Sequence, residues 1–362
     1  MCGIWSYIQL VKNQAKTKKL MQNFWNIQNR GPDNSILETF NSVVVGFHRL
    51  AIMDTTFKSN QPFHFSDGLR TVIFTCNGEI YNYKELIKKY DLEIEGDSDC
   101  MTIPQLYLKF TNEGKLSQWK DLFQREIKGE FSFILYEFDK LKNLREVFIG
   151  RDQIGIRPLY CSDLDSKEEF LLSSEVKGMK DYDGEVNEFP PGHIVQLSLN
   201  EFGNINKKNY SFKWVYHVTW KDKEVQSEEY YLEKLRTAVI NSVRRRLSAD
   251  RPVAFLLSGG VDSSLVCAIS AKILGQPINT FCCGMGEGTD LKYAKMVADH
   301  IGSHHSEVYF TAEDGVNALE EVIYATETWD ITTVRASVGQ FMVCKHIGTK
   351  TDCKVVLVGE GP

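Results

Sequence analysis

Residues 253–264, which read VAFLLSGGVDSS, decide the fold of the C-terminal part of the chain. The stretch passes from a short apolar run through a glycine pair into a helical pattern, so it predicts a strand, a tight turn and a helix start. Glycines let backbone N–H groups approach an anion, and a helix N-terminus favours negative charge. No lysine follows the glycines, so the stretch is not a GxxxxGK[ST] loop.

Strands and helices alternate downstream of this stretch. The predicted elements are the strands Val253–Leu257, Ile278–Cys283, Glu307–Phe310 and Lys354–Val358, the helices Asp262–Leu274 and Leu291–Ile301, and two more helical stretches between the last two strands. Gly275 and Gly302 are expected to end the two named helices. Such alternation predicts a parallel sheet with helices on both faces, and ligands bind such sheets beyond the carboxyl ends of the strands.

The N-terminal part has a different pattern. Short β-branched or aromatic runs predict strands, and two longer periodic stretches predict helices. The predicted strands are Val43–Phe47, Arg70–Cys76, Phe131–Glu137 and Arg145–Gly150, and the helices are Thr17–Gln28 and Ser98–Glu113. A polar stretch without periodicity separates the two parts, and a helix is expected to start at Ser227. We therefore predict domains at residues 1–205 and 227–362, joined by a linker at 206–226.

The chain begins Met1-Cys2-Gly3-Ile4. Removal of Met1 would leave the Cys2 thiol beside a free α-amine, whose ordinary pKa of about 7.7–8.0 suits a base at neutral pH. One residue would then supply both nucleophile and base. The small Gly3 would give a peptidase access to the bond.

Four further stretches follow in order: Arg30-Gly31-Pro32-Asp33, His48-Arg49-Leu50-Ala51-Ile52, Asn77-Gly78-Glu79-Ile80-Tyr81-Asn82 and Gly96-Asp97-Ser98-Asp99-Cys100. Together with Cys2 they resemble the glutaminase domain of class II glutamine amidotransferases. The resemblance implies an α+β N-terminal-nucleophile sandwich, in which two antiparallel sheets lie between helices. Residues 150–160 and 174–177 also resemble segments of that family.

The resemblance implies a role for each of these residues. Hydrolysis of an amide passes through an oxyanion, and Asn77 and Gly78 match the family's oxyanion hole. Arg49 can hold the glutamine α-carboxylate in two hydrogen bonds, and Asp99 can pair with its α-ammonium. The implied glutamine-binding set is Arg49, Leu50, Ala51, Ile52, Met53, Asn77, Gly78, Glu79 and Asp99. Cys2, Asn77 and Gly78 are the implied catalytic residues of this domain, and Glu360 is a further catalytic candidate in the C-terminal part of the chain.

The SGGVDSS loop resembles the pyrophosphate loop of ATP pyrophosphatases, in a form close to SGGLDSS. A glutaminase followed by this loop is similar to the glutamine-hydrolysing asparagine synthetases, over essentially the whole chain. The resemblance implies an α/β parallel-sheet ATP pyrophosphatase domain. It implies ATP, aspartate and glutamine as substrates, β-aspartyl-AMP as intermediate, and Mg²⁺ held by Asp262. The implied ATP-binding set is Leu257, Ser258, Gly259, Gly260, Asp262, Ser263, Ser264, Cys283, Val358 and Gly359.

The last five residues depart from the family pattern. The family continues with SGEGSDE and a long helical region, whereas this chain reads Val358-Gly359-Glu360-Gly361-Pro362. Val358 cannot donate the hydrogen bond of the family's serine, and the following carboxylates are absent from the sequence. We therefore expect an incomplete synthetase domain, in which Glu360 matches a family glutamate near the acyl-adenylate. Two alternatives stay open: a glutaminase with an inactive synthetase half, and a non-catalytic truncated product.

Composition narrows the class of protein further. The formal net charge of −6 over 362 residues argues against a general nucleic-acid binder. No run of eighteen apolar residues or signal-like N-terminus occurs, so we expect no membrane association. Nine cysteines without metal-like spacing predict a reducing, cytoplasmic compartment. A homodimer is compatible with the resemblance.

Overall fold

The computed structural model of the chain describes residues 1–11, 13–166, 168–200, 205–211, 226–286 and 288–359. It divides into two compact units, residues 1–219 and 220–362. Among the residues that the structure describes, none of the helices combines the length and the apolar composition that a membrane crossing requires.

Within the described residues, the first unit contains two six-stranded antiparallel sheets. The strands, in chain order, are β1 (Gly3–Gln9), β2 (Asn34–Phe40), β3 (Val43–Arg49), β4 (Phe63–Ser66), β5 (Arg70–Ile80), β6 (Gly129–Asp139), β7 (Leu144–Arg151), β8 (Tyr160–Ser162), β9 (Glu169–Ser173), β10 (Val186–Glu188), β11 (Ile194–Leu199) and β12 (Ile205–Ser211). One sheet has the order β10-β8-β9-β1-β3-β2, and the other has the order β12-β11-β7-β6-β5-β4.

Helices cover the outer faces of both sheets. They are α1 (Gln14–Met21), α2 (Tyr83–Tyr90), α3 (Thr102–Asn112) and α4 (Leu116–Arg125), with a 3₁₀ segment at Gln22–Arg30. Trp119 and Phe123 of α4 pack on the β5–β6 sheet, whereas Phe24 of the 3₁₀ segment packs on the β1–β3 sheet. The predicted sandwich of two antiparallel sheets between helices is confirmed.

Side-chain alternation defines the space between the two sheets. Ile4 and Ile8 of β1 meet Ile73 of β5 in one buried cluster, while Trp5 and Tyr7 point to the outer helical layer. Because successive residues of a strand face opposite sides, the even-numbered residues of β1 and the odd-numbered residues of β5 share this inner space. Asn77 belongs to the second set, and Cys2, which immediately precedes β1, packs against the same inner cluster.

The second unit is built on a parallel sheet with the order β15-β14-β13-β16. Its elements are α5 (Glu228–Arg246), β13 (Val253–Leu256), α6 (Val261–Leu274), β14 (Asn279–Gly284), α7 (Thr289–Ile301), β15 (His304–Tyr309), α8 (Ala312–Asn317), α9 (Leu319–Thr326), α10 (Ile331–Lys350) and β16 (Val355–Leu357). Phe255 of β13 packs with α6 and α7, whereas the adjacent Ala254 packs with α10. Helices therefore cover both faces, as predicted.

Several local predictions need correction. The described residues hold three helices between β15 and β16 where two were expected, because Ala318 ends α8 and starts the next helix. The predicted linker starts inside β12, where backbone pairing with β11 supplies hydrogen bonds to a stretch whose sequence shows no strand pattern. Residues 212–225 of that linker lie outside the described part of the chain.

Candidate active sites

Cys2 lies immediately before β1, at one end of the space between the two sheets. The pairing of Gly3 with His48 brings the end of β3 beside it. Its Sγ lies 3.4 Å from the main-chain nitrogen of Leu50 and 3.6 Å from the carbonyl oxygen of the same residue. The thiol is thus held against the loop that follows β3.

The surroundings of Cys2 determine its charge and that of the chain terminus. Burial raises the pKa of the Cys2 thiol, and the neighbouring amine opposes that shift. Although the Met1 side chain is half exposed, burial of its amine lowers the pKa from 8.0 to about 6, and the charges of Arg30 and Arg157 contribute to the decrease. An amine in this pocket is therefore mostly neutral at pH 7 and able to accept a proton.

Asn77 and Gly78 lie on β5, where β6 pairs with one edge and, among the described residues, no strand pairs with the opposite edge at this point. Asn77 is buried, and its Nδ2 has no hydrogen-bond partner among the described residues. Leaving a buried donor unsatisfied costs about 1–3 kcal/mol, so such a group usually meets a ligand or water. The donor belongs to a side chain that faces the same inner space as Cys2.

The N–H of Gly78 is oriented by the strand itself. The N–H groups of Cys76 and Ile80 donate toward the free edge of β5, to Gln61 Oε1 and Asp99 Oδ2. Because hydrogen-bonding direction alternates along an antiparallel strand, the N–H of Gly78 faces the same edge. A Cβ on Gly78 would lie 2.2 Å from the carbonyl oxygen of Glu130, so only glycine allows this approach of β5 to β6.

Two carboxyl groups lie together beside these donors. Burial raises the pKa of Asp99 to about 6. Burial also raises the pKa of Glu79 well above its ordinary value, and the negative charge of Asp99 adds to that shift. Two carboxylates in a poorly hydrated place need a cation, and the α-ammonium of an amino acid would supply one.

Arg49 is placed differently from the expectation. Its Nη1 donates to the carbonyl of Thr56 at 2.6 Å and to Asn60 Oδ1 at 2.7 Å. Its Nη2 donates to the carbonyls of Met53 and Asp54. The guanidinium is thus engaged by the loop of residues 53–60 and organises that loop, and a substrate carboxylate would have to replace some of these acceptors.

The Arg30–Asp33 stretch supports the same loop and the start of β1. Asp33 Oδ2 accepts a hydrogen bond from the N–H of Ala51 at 2.8 Å. Arg30 Nε donates to the Cys2 carbonyl at 2.8 Å, and its Nη1 pairs with Glu175 at 2.9 Å. Ile52, also predicted to bind glutamine, is half-buried in the loop. Arg30 and the loop after β3 therefore contact Cys2 directly, and Glu79 is near enough to influence the pKa of its thiol.

The loop of the second unit begins at the carboxyl end of β13. Ser258 Oγ lies 3.0 Å from Ser263 Oγ, and the N–H of Ser258 donates to the same Ser263 oxygen at 3.2 Å. Gly259 has a φ of +83°, and a Cβ there would lie 2.5 Å from the Tyr293 side chain. The loop therefore turns tightly into α6 and packs against α7.

A cavity of about 390 Å³ opens above this loop at the carboxyl ends of the strands. Among the predicted ATP-binding residues, those that line it are Leu257, Ser258, Gly260, Asp262, Ser263, Cys283, Val358 and Gly359. Gly259, in the loop, and Ser264, in the first turn of α6, do not line the cavity. A Cβ on Gly359 would lie 2.4 Å from the nitrogen of Ser263, so the backbone at Gly359, after β16, contacts the start of α6. Glu360 lies outside the described residues.

The structure also supplies lining residues that the sequence patterns did not assign. Those in the cavity of the second unit include Phe281, Cys282, Asp290, Ala336, Gly339 and Gln340. Asp290 lies in the first turn of α7 and Ala336 lies on α10, outside the motifs from which the ATP-binding set was taken. In the first unit, Arg30 and Arg157 lie in segments that resemble the glutaminase family, at 30–33 and 150–160, but the sequence patterns assigned no role to either arginine.

The chain was compared with families and curated proteins. Residues 1–231 match the family described as "Glutamine amidotransferase domain", and residues 234–362 match "Asparagine synthase". The whole chain aligns at 36% identity with asparagine synthetase [glutamine-hydrolyzing] 2 of Arabidopsis thaliana, of which it covers 60%. It is also 36% identical to the asparagine synthetases [glutamine-hydrolyzing] of Gallus gallus and Homo sapiens, and covers 65% of each.

The chain thus spans about 60 to 65% of the length of these relatives. The first match extends over more than half of the chain and coincides with the unit that holds Cys2, Asn77 and Asp99. The chain therefore belongs to the glutamine amidotransferase domain family, and its C-terminal part matches the asparagine synthase family.

Proposed function

We propose that the first unit hydrolyses the side-chain amide of glutamine at Cys2. The observation that carries this proposal is the buried, unpartnered Nδ2 of Asn77 in the inner space that Cys2 also faces. The Cys2 sulfur attacks the amide carbon, and Asn77 and the N–H of Gly78 stabilise the oxyanion. Ammonia leaves, and water then releases glutamate from the thioester.

The amine that removal of Met1 would leave on Cys2 is the base in this proposal. It would lie one residue further into the pocket that already lowers the pKa of the Met1 amine to about 6. Asp99 and Glu79 hold the substrate α-ammonium, while Arg49 and residues 50–53 form the wall that receives the rest of the amino acid. The α-carboxylate competes with the loop carbonyls for Arg49.

We infer that the second unit binds ATP in the cavity beside the Ser258–Ser264 loop. Gly260 and the first turn of α6 offer N–H groups to phosphate, and Ser258 and Ser263 contribute hydroxyl groups. In the described part of the chain, no three His, Cys, Asp or Glu side chains form a metal cluster of their own. Mg²⁺ commonly uses one or two carboxylates together with substrate phosphates, so Asp262 and the nearby Asp290 fit it. Bound there, Mg²⁺ would neutralise phosphate charge.

Together the two units support ATP-dependent synthesis of asparagine from aspartate. In this proposal aspartate is activated as β-aspartyl-AMP, and ammonia from glutamine attacks it to give asparagine, AMP and pyrophosphate. We assign glutamine hydrolysis to residues 1–219 and asparagine synthesis to residues 220–362. We further propose that the protein is a cytoplasmic homodimer. The two alternatives, a glutaminase with an inactive second half and a non-catalytic product, are not favoured by the family matches.

A comparison of three proteins tests the glutaminase proposal. Glutamate release from glutamine is expected to fall by at least about 10³-fold in Cys2→Ala, because loss of a nucleophile removes the covalent route. Cys344→Ala is the matched control, since Cys344 is an exposed thiol in the second unit. The proposal also requires a mature chain that begins at Cys2, which the intact mass reports. Equal glutamate release by the wild type and Cys2→Ala would refute it.

A further inference from the structure

Residues 152–157 form a loop that is held by many hydrogen bonds and that has no role in the reaction steps proposed above. Asp152 accepts hydrogen bonds from the main-chain N–H groups of Phe131, Ile154, Gly155, Ile156 and Arg157. The guanidinium of Arg151 donates to the carbonyls of Gly155 at 2.7 Å and Arg157 at 2.8 Å. The backbone of Arg157 is thus fixed from both sides, and its side chain leaves the loop in a defined direction.

The Arg157 side chain is directed into the glutaminase site. It is largely buried, and its Nη2 lies 3.6 Å from Glu130 Oε2. Glu130 is the register partner of Glu79 across the β5–β6 pair. The Nε of Arg157 is buried and has no hydrogen-bond partner among the described residues. A buried donor without a partner lowers the stability of the fold, and Arg157 carries one on a fixed cation beside Glu130 and Glu79. Such a group is retained at that cost where the site has a use for its charge.

The positive charge of Arg157 acts on the groups that the proposed reaction needs. It opposes the burial that raises the pKa of the Cys2 thiol, and it helps to lower the pKa of the Met1 amine. Charged and titratable groups from several neighbouring segments surround the Cys2 thiol and the chain-terminal amine. They are Arg30, Asp33, Arg49, Glu79, Asp99, Cys100, Glu130 and Arg157.

We propose that Arg157 is a positioning residue of the glutaminase site, fixed by the 152–157 loop and by Glu130 so that its positive charge stabilises the Cys2 thiolate and disfavours an ammonium group at the chain terminus. A nearby cation stabilises a thiolate and disfavours an ammonium ion, so one charge promotes both halves of the nucleophile–base pair. Arg30 acts in the same direction on the amine, but it is also bonded to Glu175 and to the Cys2 carbonyl. This inference rests on the proposed glutaminase function.

The test compares Arg157→Gln with wild type over pH 5.5 to about 9, a range set by the thiol and amine pKa values. Without the cation, the acid limb of kcat/KM for glutamate release is expected to move up by about one pH unit, so activity lost at neutral pH returns at alkaline pH. Arg157→Met fills the same volume without charge and should behave alike. Arg157→Lys should keep the wild-type profile. The matched control is Arg145→Gln, which removes a guanidinium paired with Asp139 at a hairpin end.

A second readout does not depend on turnover. The rate at which iodoacetamide labels Cys2, followed on the N-terminal peptide by mass spectrometry, should fall about tenfold at pH 7 in both neutral variants, the change that one pKa unit gives. If wild type releases no glutamate, the proposed function fails, while the labelling rates still decide the role of Arg157. Two results would overturn the inference. One is an equal rate of Cys2 labelling in wild type and in the folded Arg157→Gln and Arg157→Met variants, and the other is a loss of activity in these two variants by the same factor at every pH.

Discussion

Single side chains decide whether the inner space of the first unit is a catalytic site or a packed core. Asn77 is buried with an unused donor, in a strand whose two faces otherwise pack largely in apolar clusters. A protein that needed only stability would gain from an apolar residue here. The stability lost at Asn77 is understandable if its amide stabilises charge that exists only during the reaction.

Replacing Asn77 with alanine should therefore slow the reaction without weakening substrate binding. We expect kcat for glutamate release to fall by about 10²–10³ while KM changes little, because the donor acts on the transition state. Thr75→Val is the matched control, since Thr75 Oγ1 is also buried on the same face of β5 and has no hydrogen-bond partner in the part of the chain that the structure describes. Steady-state kinetics of both variants check this. A rise in KM with unchanged kcat would make Asn77 a substrate-binding residue instead.

The carboxyl pair predicts a pH dependence of binding. Because burial raises the pKa of Asp99 to about 6, this group takes up a proton as the pH falls through that value and can no longer pair with an ammonium group. KM for glutamine is expected to rise below pH 6, with a smaller change in kcat. A KM that stays constant from pH 7.5 down to about 5, well below the raised pKa, would contradict this role.

The same shift has a consequence for stability. A carboxyl group whose pKa is higher in the folded state binds its proton more tightly there. Its contribution to the free energy of unfolding therefore falls as the pH rises from the unfolded pKa of about 3.9 through 6. Asp99→Asn removes the buried charge but keeps an oxygen that can accept from the N–H of Ile80. It should raise the thermal midpoint at pH 7 and raise KM for glutamine. A lower midpoint at pH 7 would contradict the assignment of a costly charge.

At the scale of elements, the site depends on how strand ends and loops meet. The sequence patterns predicted the inner strands of the second unit because those segments are strongly apolar, and they predicted the start of α5, which the Ser227 side chain caps. Short or polar strands such as β4 and β10 were not predicted, since tertiary pairing with a neighbour forms them. The motif residues around Cys2 were identified by resemblance, but no pattern could show that Arg49 is engaged by its own loop.

Arg49→Lys tests the role of that loop. A lysine has one point-like cation and cannot reproduce four hydrogen bonds to the acceptors on residues 53–60, so the loop should loosen. We expect KM for glutamine to rise about tenfold with a smaller loss in kcat, which corresponds to about 1.4 kcal/mol of binding. Arg70→Lys is the matched control, because Arg70 also bonds several partners, among them Glu137 and Asn112, away from the site. If both variants raise KM equally, the effect is one of general stability.

At the scale of the whole molecule, two different folds carry two separate sets of chemical groups. The first unit holds the Cys2 thiol and buried donors, and the second holds a glycine-containing loop beside a cavity. In the second unit, the alternation of strand and helix patterns predicted the parallel sheet from the residues themselves. The two-sheet sandwich of the first unit was predicted from the family resemblance alone. Neither could predict the cavity wall formed by α10, because its residues are far from the loop in sequence.

The two sites should be separable by mutation. Asp262→Ala removes a cavity-lining carboxylate and is expected to weaken binding of ATP with Mg²⁺ at least about tenfold, a factor equivalent to about 1.4 kcal/mol. Glutamate release at Cys2 should stay unchanged. Asp299→Ala is the matched control, since Asp299 is an exposed carboxylate on α7 paired with Lys295. Calorimetric titration with ATP checks the first expectation, and unchanged ATP binding in Asp262→Ala would contradict the assigned site.

The central claim is that Cys2 is the nucleophile of a glutaminase, and its covalent intermediate gives the most direct test. The protein is mixed with glutamine, quenched in acid within one turnover, and digested for mass spectrometry of the N-terminal peptide. We predict a peptide that begins at Cys2 and carries a γ-glutamyl thioester, which disappears in Cys2→Ala and decreases in Asn77→Ala. A wild-type peptide that retains Met1 and carries no adduct, while glutamate still accumulates, would contradict the account.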